Sequence, residues 1–186
     1  MKRSRRQNTN GAFLLEFALA SVFVFIPLIL GTMTVGVTLA RTIHVYHLNR
    51  DMGHMFARGV DFSQAQNRAL AVRMSNGLNI TDSGGNGVVI LSMIQCIGAG
   101  QAVCARRLVI GNAALRSSSF ASPTQIDANG NVNFAADPGA QANSFLSVMA
   151  MSPGETAYLS ESYFSSSDYD WTGFLTGNGT YTRAVF

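Results

Sequence analysis

Apolar residues are spread unevenly along this chain, and a change in their spacing divides it. From Phe17 to Ala40 there are 24 consecutive residues without a charge, enough for a helix to cross a bilayer core, which needs about 20. Pro27 lies inside this run, where it lacks a backbone donor and crowds the carbonyl of Phe23, so a kink is expected there. Beyond it the pattern becomes periodic. Arg41, His44, His47, Asp51, His54 and Arg58 recur at three- and four-residue steps and share one face, while Val45, Leu48, Met52, Met55 and Phe56 form the opposite stripe. This is an amphipathic continuation of the helix. After "RGVDFS", Ser63 with Gln66 three residues later reads as a capping box opening a second helix to about Asn76, stopped by Gly77. "TDSGGNG" is a turn-rich connector.

From Gly87 the pattern shifts to strands. "GVVILSMIQC" and "ARRLVIG" read as a hairpin around the loop "IGAGQAV", with further strands at "NVNFAA", "ETAYLSESYF" and "GTYTRAVF". "GNAALRSSSFASPTQIDANGNVNFAADPGAQANSF", covering 111–145, looks like an insertion between strands. The expected class is α+β: a long N-terminal transmembrane α-helix, a short helix and a small antiparallel β-sheet domain.

Charge refines this picture. The 186 residues carry a formal net charge of +3, but Lys2, Arg3, Arg5 and Arg6 supply four positive charges before Gly11. The remainder holds 9 basic against 10 acidic residues, a net of −1. Nucleic-acid binding therefore has no electrostatic support. Four cations ahead of an apolar span follow the positive-inside rule, placing residues 1–10 in the cytoplasm and everything after Arg41 across the membrane. A cleaved signal peptide is the plain alternative. The apolar run is too long for one, and Thr38-Leu39-Ala40 imitates a small-x-small cleavage site poorly.

One carboxylate, Glu16, interrupts the apolar stretch "GAFLLEFALA". An acidic side chain within a bilayer costs roughly 2.5–3.5 kcal/mol and is a functional hypothesis by default. The basic "KRSRRQNTN", then Gly11, then "AFLLE" with Glu16 fifth after the glycine, then Phe17 and a long helix with an internal proline, resembles the class III signal of type IV pilin-like proteins. The similarity is closest to the TadE-like minor pilins of the tight-adherence (Tad, Flp) pilus, and it covers residues 2 to about 62. That resemblance implies cleavage after Gly11 by a prepilin peptidase on the cytoplasmic side and N-methylation of Ala12. It further implies a bacterial inner-membrane location, incorporation into an extracellular pilus, and as partners the major and other minor pilins, an inner-membrane platform and a cytoplasmic ATPase. Physical chemistry gives Glu16 a role beside the resemblance. A free α-amino group on Ala12 would lie one helical turn from Glu16, or within reach of a neighbour's Glu16, and such a pairing offsets burial and fixes axial register. The plain alternative is a signal anchor whose Glu16 snorkels to the headgroups.

The organisation expected is a leader over 1–11, a membrane helix over 12–40 in contact with lipid, a periplasmic continuation over 41–60 and a periplasmic domain over 61–186. Cys96 and Cys104, the only cysteines, sit at the two ends of the hairpin loop. In an exported domain they are expected to form a disulfide, worth roughly 2–3 kcal/mol for so short a loop. The three histidines with Asp51 raise a metal site, but their steps spread over two to three helical turns, so a polar stripe is the simpler account. "DANGNV" starts like a calcium loop, yet Val132 stands where Gly is needed, and Asn129-Gly130 reads better as a tight turn. Tyr169, Trp171 and Phe174 suggest a loop folded over the sheet. With no histidine beyond residue 54, a Ser-His-Asp arrangement would have to recruit the membrane-proximal helix to act on distant residues. The reading is a non-enzymatic prepilin without cofactor or metal, in which Gly11 and Ala12 are the processing site and Glu16 and Phe17 set assembly register. An unprocessed single-span binding domain and a secreted protein that loses residues 1–40 stay open.

Overall fold

The structure, a computed structural model, describes residues 9–165 and 179–186. The leader cations and the stretch with Tyr169, Trp171 and Phe174 lie outside them. Helix α1 runs Thr9–Ala57 and α2 Ala65–Met74, followed by strands β1 Gly87–Gly98, β2 Gln101–Gly111, β3 Thr156–Phe164 and β4 Thr180–Val185. This is the α+β class expected. The chain divides into two compact units, Met1–Ala40 and Arg41–Phe186.

In the first unit α1 is long and apolar enough to cross a membrane, and it continues through Pro27. Its hydroxyls bond to the helix's own carbonyls, Ser21 to Phe17 at 2.7 Å and Thr34 to Leu30 at 2.8 Å. A polar side chain that returns its donor to the backbone can sit in hydrocarbon at low cost.

The second unit is built on one antiparallel sheet in the order β2-β1-β3-β4. Alternation sends Val89, Leu91, Leu108, Ile110 and Phe164 to one face, where they form a cluster with Val45, Leu48, Met52 and Phe56 of α1 and with Phe62 and Ala71. Burying each large side chain is worth about 1.5–3 kcal/mol. A buried amide on α1 adds specificity to this packing. Asn49 accepts hydrogen bonds from Ser160 Oγ at 2.7 Å and Ser162 Oγ at 2.8 Å and donates to Thr182 Oγ1 at 3.2 Å. One turn further on, Gly53 admits the Phe186 ring. A Cβ there would lie 2.1 Å from Phe186 Cε2 and 2.9 Å from Ser160 Cβ.

The other sheet face is covered by what reads in sequence as an insertion. Ala121, Val132, Ala140, Ala142 and Phe145 pack on Ile94, Ala102, Cys104, Ala157 and Leu159. Two short 3-10 turns, Pro138–Ala140 and Asn143–Ser147, are its only helical elements among the described residues. Alanines let irregular backbone approach the sheet, and three buried charged side chains tie it down. Asp137 accepts from the backbone N–H groups of Gln125, Thr124 and Gly139, which hold its carboxyl below the ordinary range, the Gln125 N–H most of all. Glu161 accepts from the Ser118 hydroxyl, the Ser119 N–H at 3.0 Å and the Tyr181 hydroxyl at 2.6 Å. Arg107 donates to Ala121 O at 2.7 Å and Ser92 Oγ at 3.2 Å.

Two expectations are corrected here. The strand expected at "NVNFAA" is reduced to isolated bridges, Arg106 to Asn131 and Ile126 to Val132. The capping box of α2 does not form, because Asp61 Oδ1 takes the Ser63 N–H at 3.0 Å and Gln64 becomes the N-cap. Asp61 also accepts from Arg106 at 2.5 Å. These contacts, the Ser63 N–H foremost, lower its pKa from 3.8 to about 2.

Candidate functional site

Gly11, Glu16 and Phe17 lie in the first turns of α1 as it enters the apolar run. All three are exposed, and Ala12 and Glu16 are one helical turn apart on the helix. Gly11 shares its surroundings with Gly31 and Gly36 of the same helix. A Cβ added to it would meet nothing within 4 Å, and its φ is not left-handed, so neither packing nor backbone geometry calls for glycine. Glycine inside a helix costs about 1 kcal/mol relative to alanine. Packing and backbone geometry therefore supply no reason for Gly11, as they supply none for Gly31 and Gly36.

Further along the helix, Phe13, Leu14, Leu15, Phe17, Phe23 and Ile29 each expose more than half of their surface. From Phe13 to Ala40 no residue is buried. A shallow groove of about 500 Å³ follows Pro27, Leu28, Gly31, Thr32, Val35 and Gly36. The long apolar face expected from sequence is thus present and uncovered.

The histidine stripe separates in space. His44 Nε2 lies 3.2 Å from Met74 O, the His54 ring packs on Phe186 with centroids 4.4 Å apart, and His47 is exposed. No group of three or more His, Cys, Asp or Glu side chains capable of holding a metal ion occurs among the described residues. At "DANGNV", Asp127 turns inward on its own loop, accepting from Asn131 Nδ2 and from the N–H groups of Asn131 and Asn129 at 2.7–2.9 Å. Gly130, at φ +82°, closes that turn through its N–H to Asp127 O at 3.0 Å.

The expected Cys96–Cys104 disulfide is absent. Both cysteines are buried free thiols. The sequence places them at the ends of a seven-residue loop, whereas the hairpin turns on Ala99-Gly100 alone, with Gly98 paired to Gln101 and Gly100 at φ +74°. Both residues consequently lie within the strands. Cys96 stands opposite Ala102 and Cys104 opposite Ile94, which makes them diagonal neighbours. Diagonal pairs are separated by about 7–8 Å between Cα atoms, beyond the roughly 4.4–6.8 Å a disulfide bridges. Each thiol instead donates to a carbonyl, Cys96 to Gly98 and Cys104 to Arg106. Burial pushes the Cys104 thiol up, which makes it less reactive.

No protein-family model, curated protein or solved structure matches this chain. The sequence reading passes over Arg116 and Arg183, which stack on Tyr181 and Phe120. They belong to segments far apart in sequence, and no local spacing marks them.

Proposed function

We propose that this chain is a TadE-like minor pilin or pseudopilin of a Tad/Flp type IV pilus. In this reading residues 1–11 are a cytoplasmic leader removed after Gly11, α1 anchors the chain in the inner membrane with its N-terminus inside, and Arg41–Phe186 is a periplasmic domain. The protein is not an enzyme. Its work is assembly, with prepilin peptidase, other pilins and the membrane platform as partners.

The observation that carries the reading is Gly11 in its setting. It is a glycine that no contact and no backbone angle requires, preceded by four cations and followed five residues on by Glu16, the sole charge between Gly11 and Arg41. An ordinary anchor has no use for that combination. After cleavage the Ala12 amine and Glu16, one turn apart or on neighbouring subunits, would pair in a low-dielectric setting, and the uncovered apolar face would supply packing. The domain would then present its surface to other subunits.

The test is the N-terminus of the mature protein, read by mass spectrometry from cells with and without prepilin peptidase. A peptidase-dependent start at Ala12, one methyl group heavier, is expected. An intact Met1 would make the chain a plain anchored domain, and a start near Arg41 would make it a secreted protein.

A further inference from the structure

The two edges of the sheet differ. The β2 edge is plugged by the segment that follows it: Arg107 N–H donates to Gly130 O at 2.7 Å, Val132 N–H to Ala105 O at 3.0 Å and Ala142 N–H to Ala102 O at 2.8 Å. At β4 no backbone bond to the outer side occurs among the described residues.

Register fixes which groups are left over. Tyr158 and Phe186 exchange both of their backbone bonds, each at 2.9 Å. Antiparallel pairing alternates, so Ala184, Thr182 and Thr180 also point their N–H and C=O groups toward β3. Tyr181, Arg183 and Val185 must then point theirs outward. These three residues share one side-chain face, where Tyr181 reaches Glu161 and Val185 packs on the second core. That face carries two cations. The Arg116 guanidinium sits 4.0 Å from the Tyr181 ring centroid, and the Arg183 guanidinium 5.4 Å from that of Phe120.

Neither arginine has a carboxylate partner among the described residues, in contrast to Arg68 with Asp82 and Arg106 with Asp61. Glu161 beneath them is occupied by Ser118, Ser119 and Tyr181. Ring stacking orients each guanidinium and leaves its N–H edge for an outside acceptor. Tyr181 and Arg183 stand two residues apart on β4, roughly 7 Å along the strand, and the Arg116 guanidinium over Tyr181 also lies 5.7 Å from the Tyr163 ring centroid on β3.

We propose that β4 is a docking edge for an extended acidic segment of a partner protein, added as a fifth antiparallel strand. Its backbone pairs with Tyr181, Arg183 and Val185, and its carboxylates, two residues apart, meet Arg183 and Arg116. Charge complementarity selects this occupant. Main-chain bonds supply affinity and alternate side chains supply specificity, as in other strand additions. Reading antiparallel to β4, the segment carries an apolar residue opposite Val185, then acids opposite Arg183 and Tyr181. The inference uses only the sheet domain and does not rest on the pilin reading.

The probe is a dye-labelled seven-residue threonine peptide with valine at position 2 and aspartates at positions 4 and 6. Its binding to the full chain in detergent micelles is followed by fluorescence anisotropy. Lysine in place of both aspartates, or N-methylation at positions 2, 4 and 6, should weaken binding at least tenfold. N-methylation at positions 3 and 5, whose N–H groups face away from β4, should leave it unchanged. Arg183→Glu and Arg116→Glu should each cost at least tenfold, and the double variant should bind the lysine peptide instead, which separates lost charge from lost fold. Equal binding of the lysine or the inward-methylated peptide overturns the proposal. So does a chain that ignores the aspartate peptide and cross-links to a second copy through β4.

Discussion

Helix α1 contains two apolar stretches that obey different rules. Between Phe13 and Ala40 hydrophobic side chains surround the helix and none is buried. Between Arg41 and Ala57 they fall on one stripe, and Val45, Leu48, Met52 and Phe56 are at most 3% exposed. Periodicity, more than hydrophobicity, decides which stretch belongs to the domain's own core. The glycines repeat the lesson. Gly31 and Gly36 in the first stretch have open space where a Cβ would go, whereas Gly53 in the second is filled to contact. A residue type with one meaning in propensity tables thus has opposite meanings in the two stretches.

The comparison is broken most directly by cutting one large side chain from each stretch. Phe56→Ala should destabilise the Arg41–Phe186 unit by about 3–5 kcal/mol, because it leaves a cavity beside Tyr158, whose ring packs edge-on at 5.4 Å. Phe23→Ala should leave that unit within about 0.5 kcal/mol of the parent. Urea unfolding of the full chain in micelles, followed by circular dichroism of the sheet, measures both. Equal losses would mean the two stretches share one core.

Smaller changes sharpen the contrast. Gly53→Ala forces the Phe186 ring or β3 to shift and should cost about 1–3 kcal/mol, while Gly36→Ala should not alter the melting of the sheet domain. Asn49→Ala strands the hydroxyls of Ser160, Ser162 and Thr182 and should also cost about 1–3 kcal/mol. Unchanged melting in both variants would remove the close crossing of α1 over β3 from the account of stability.

Most of the α+β frame is legible in the sequence because it rests on local pattern: the uncharged run, the stripe from Val45 to Phe56, the β-rich run of β1 and the alternation of β3. The second cover of the sheet is not legible. It depends on scattered alanines and on Asp137 and Glu161, which hold backbone from distant segments, so nothing periodic announces it. The Gly11 to Glu16 pattern is readable because its parts are adjacent. The cysteines mislead because their pairing is set by turn length. Shortening the loop to Ala99-Gly100 moves both into the ladder, and the diagonal register parts them.

Acid tests the loops that sequence could not read. Asp61 titrates at about 2, and the hydrogen bonds on Asp127 and Asp137 hold both below the ordinary range, led by the Asn131 side chain and the Gln125 N–H respectively. A carboxylate whose folded pKa lies below its unfolded value of 3.8 stabilises the fold above that value. That stability is lost as pH falls through the folded pKa. Thermal midpoints of the sheet domain should therefore fall between pH about 4 and about 2, and Asp61→Asn should flatten part of that slope. A wild-type midpoint constant across the window would contradict the bonding described at all three carboxylates.

The smallest effect expected is none at all. If Cys96 and Cys104 are held apart by register, reductant should leave the melting temperature where it is. Thiol titration should then find two reactive groups on denaturation and none before, since both side chains are at most 1% exposed. A disulfide would give the reverse, with a midpoint lowered by reductant and no thiols in denaturant. Because the bridge requires Cα atoms closer than a diagonal pair provides, finding it would mean that the β1–β2 hairpin has slipped. A slip by one residue turns Ile94 and Cys96 to the opposite face. That outcome would displace Ile94 from the cluster it forms with Phe145 and Leu159, so the thiol count also reports on the sheet's second core.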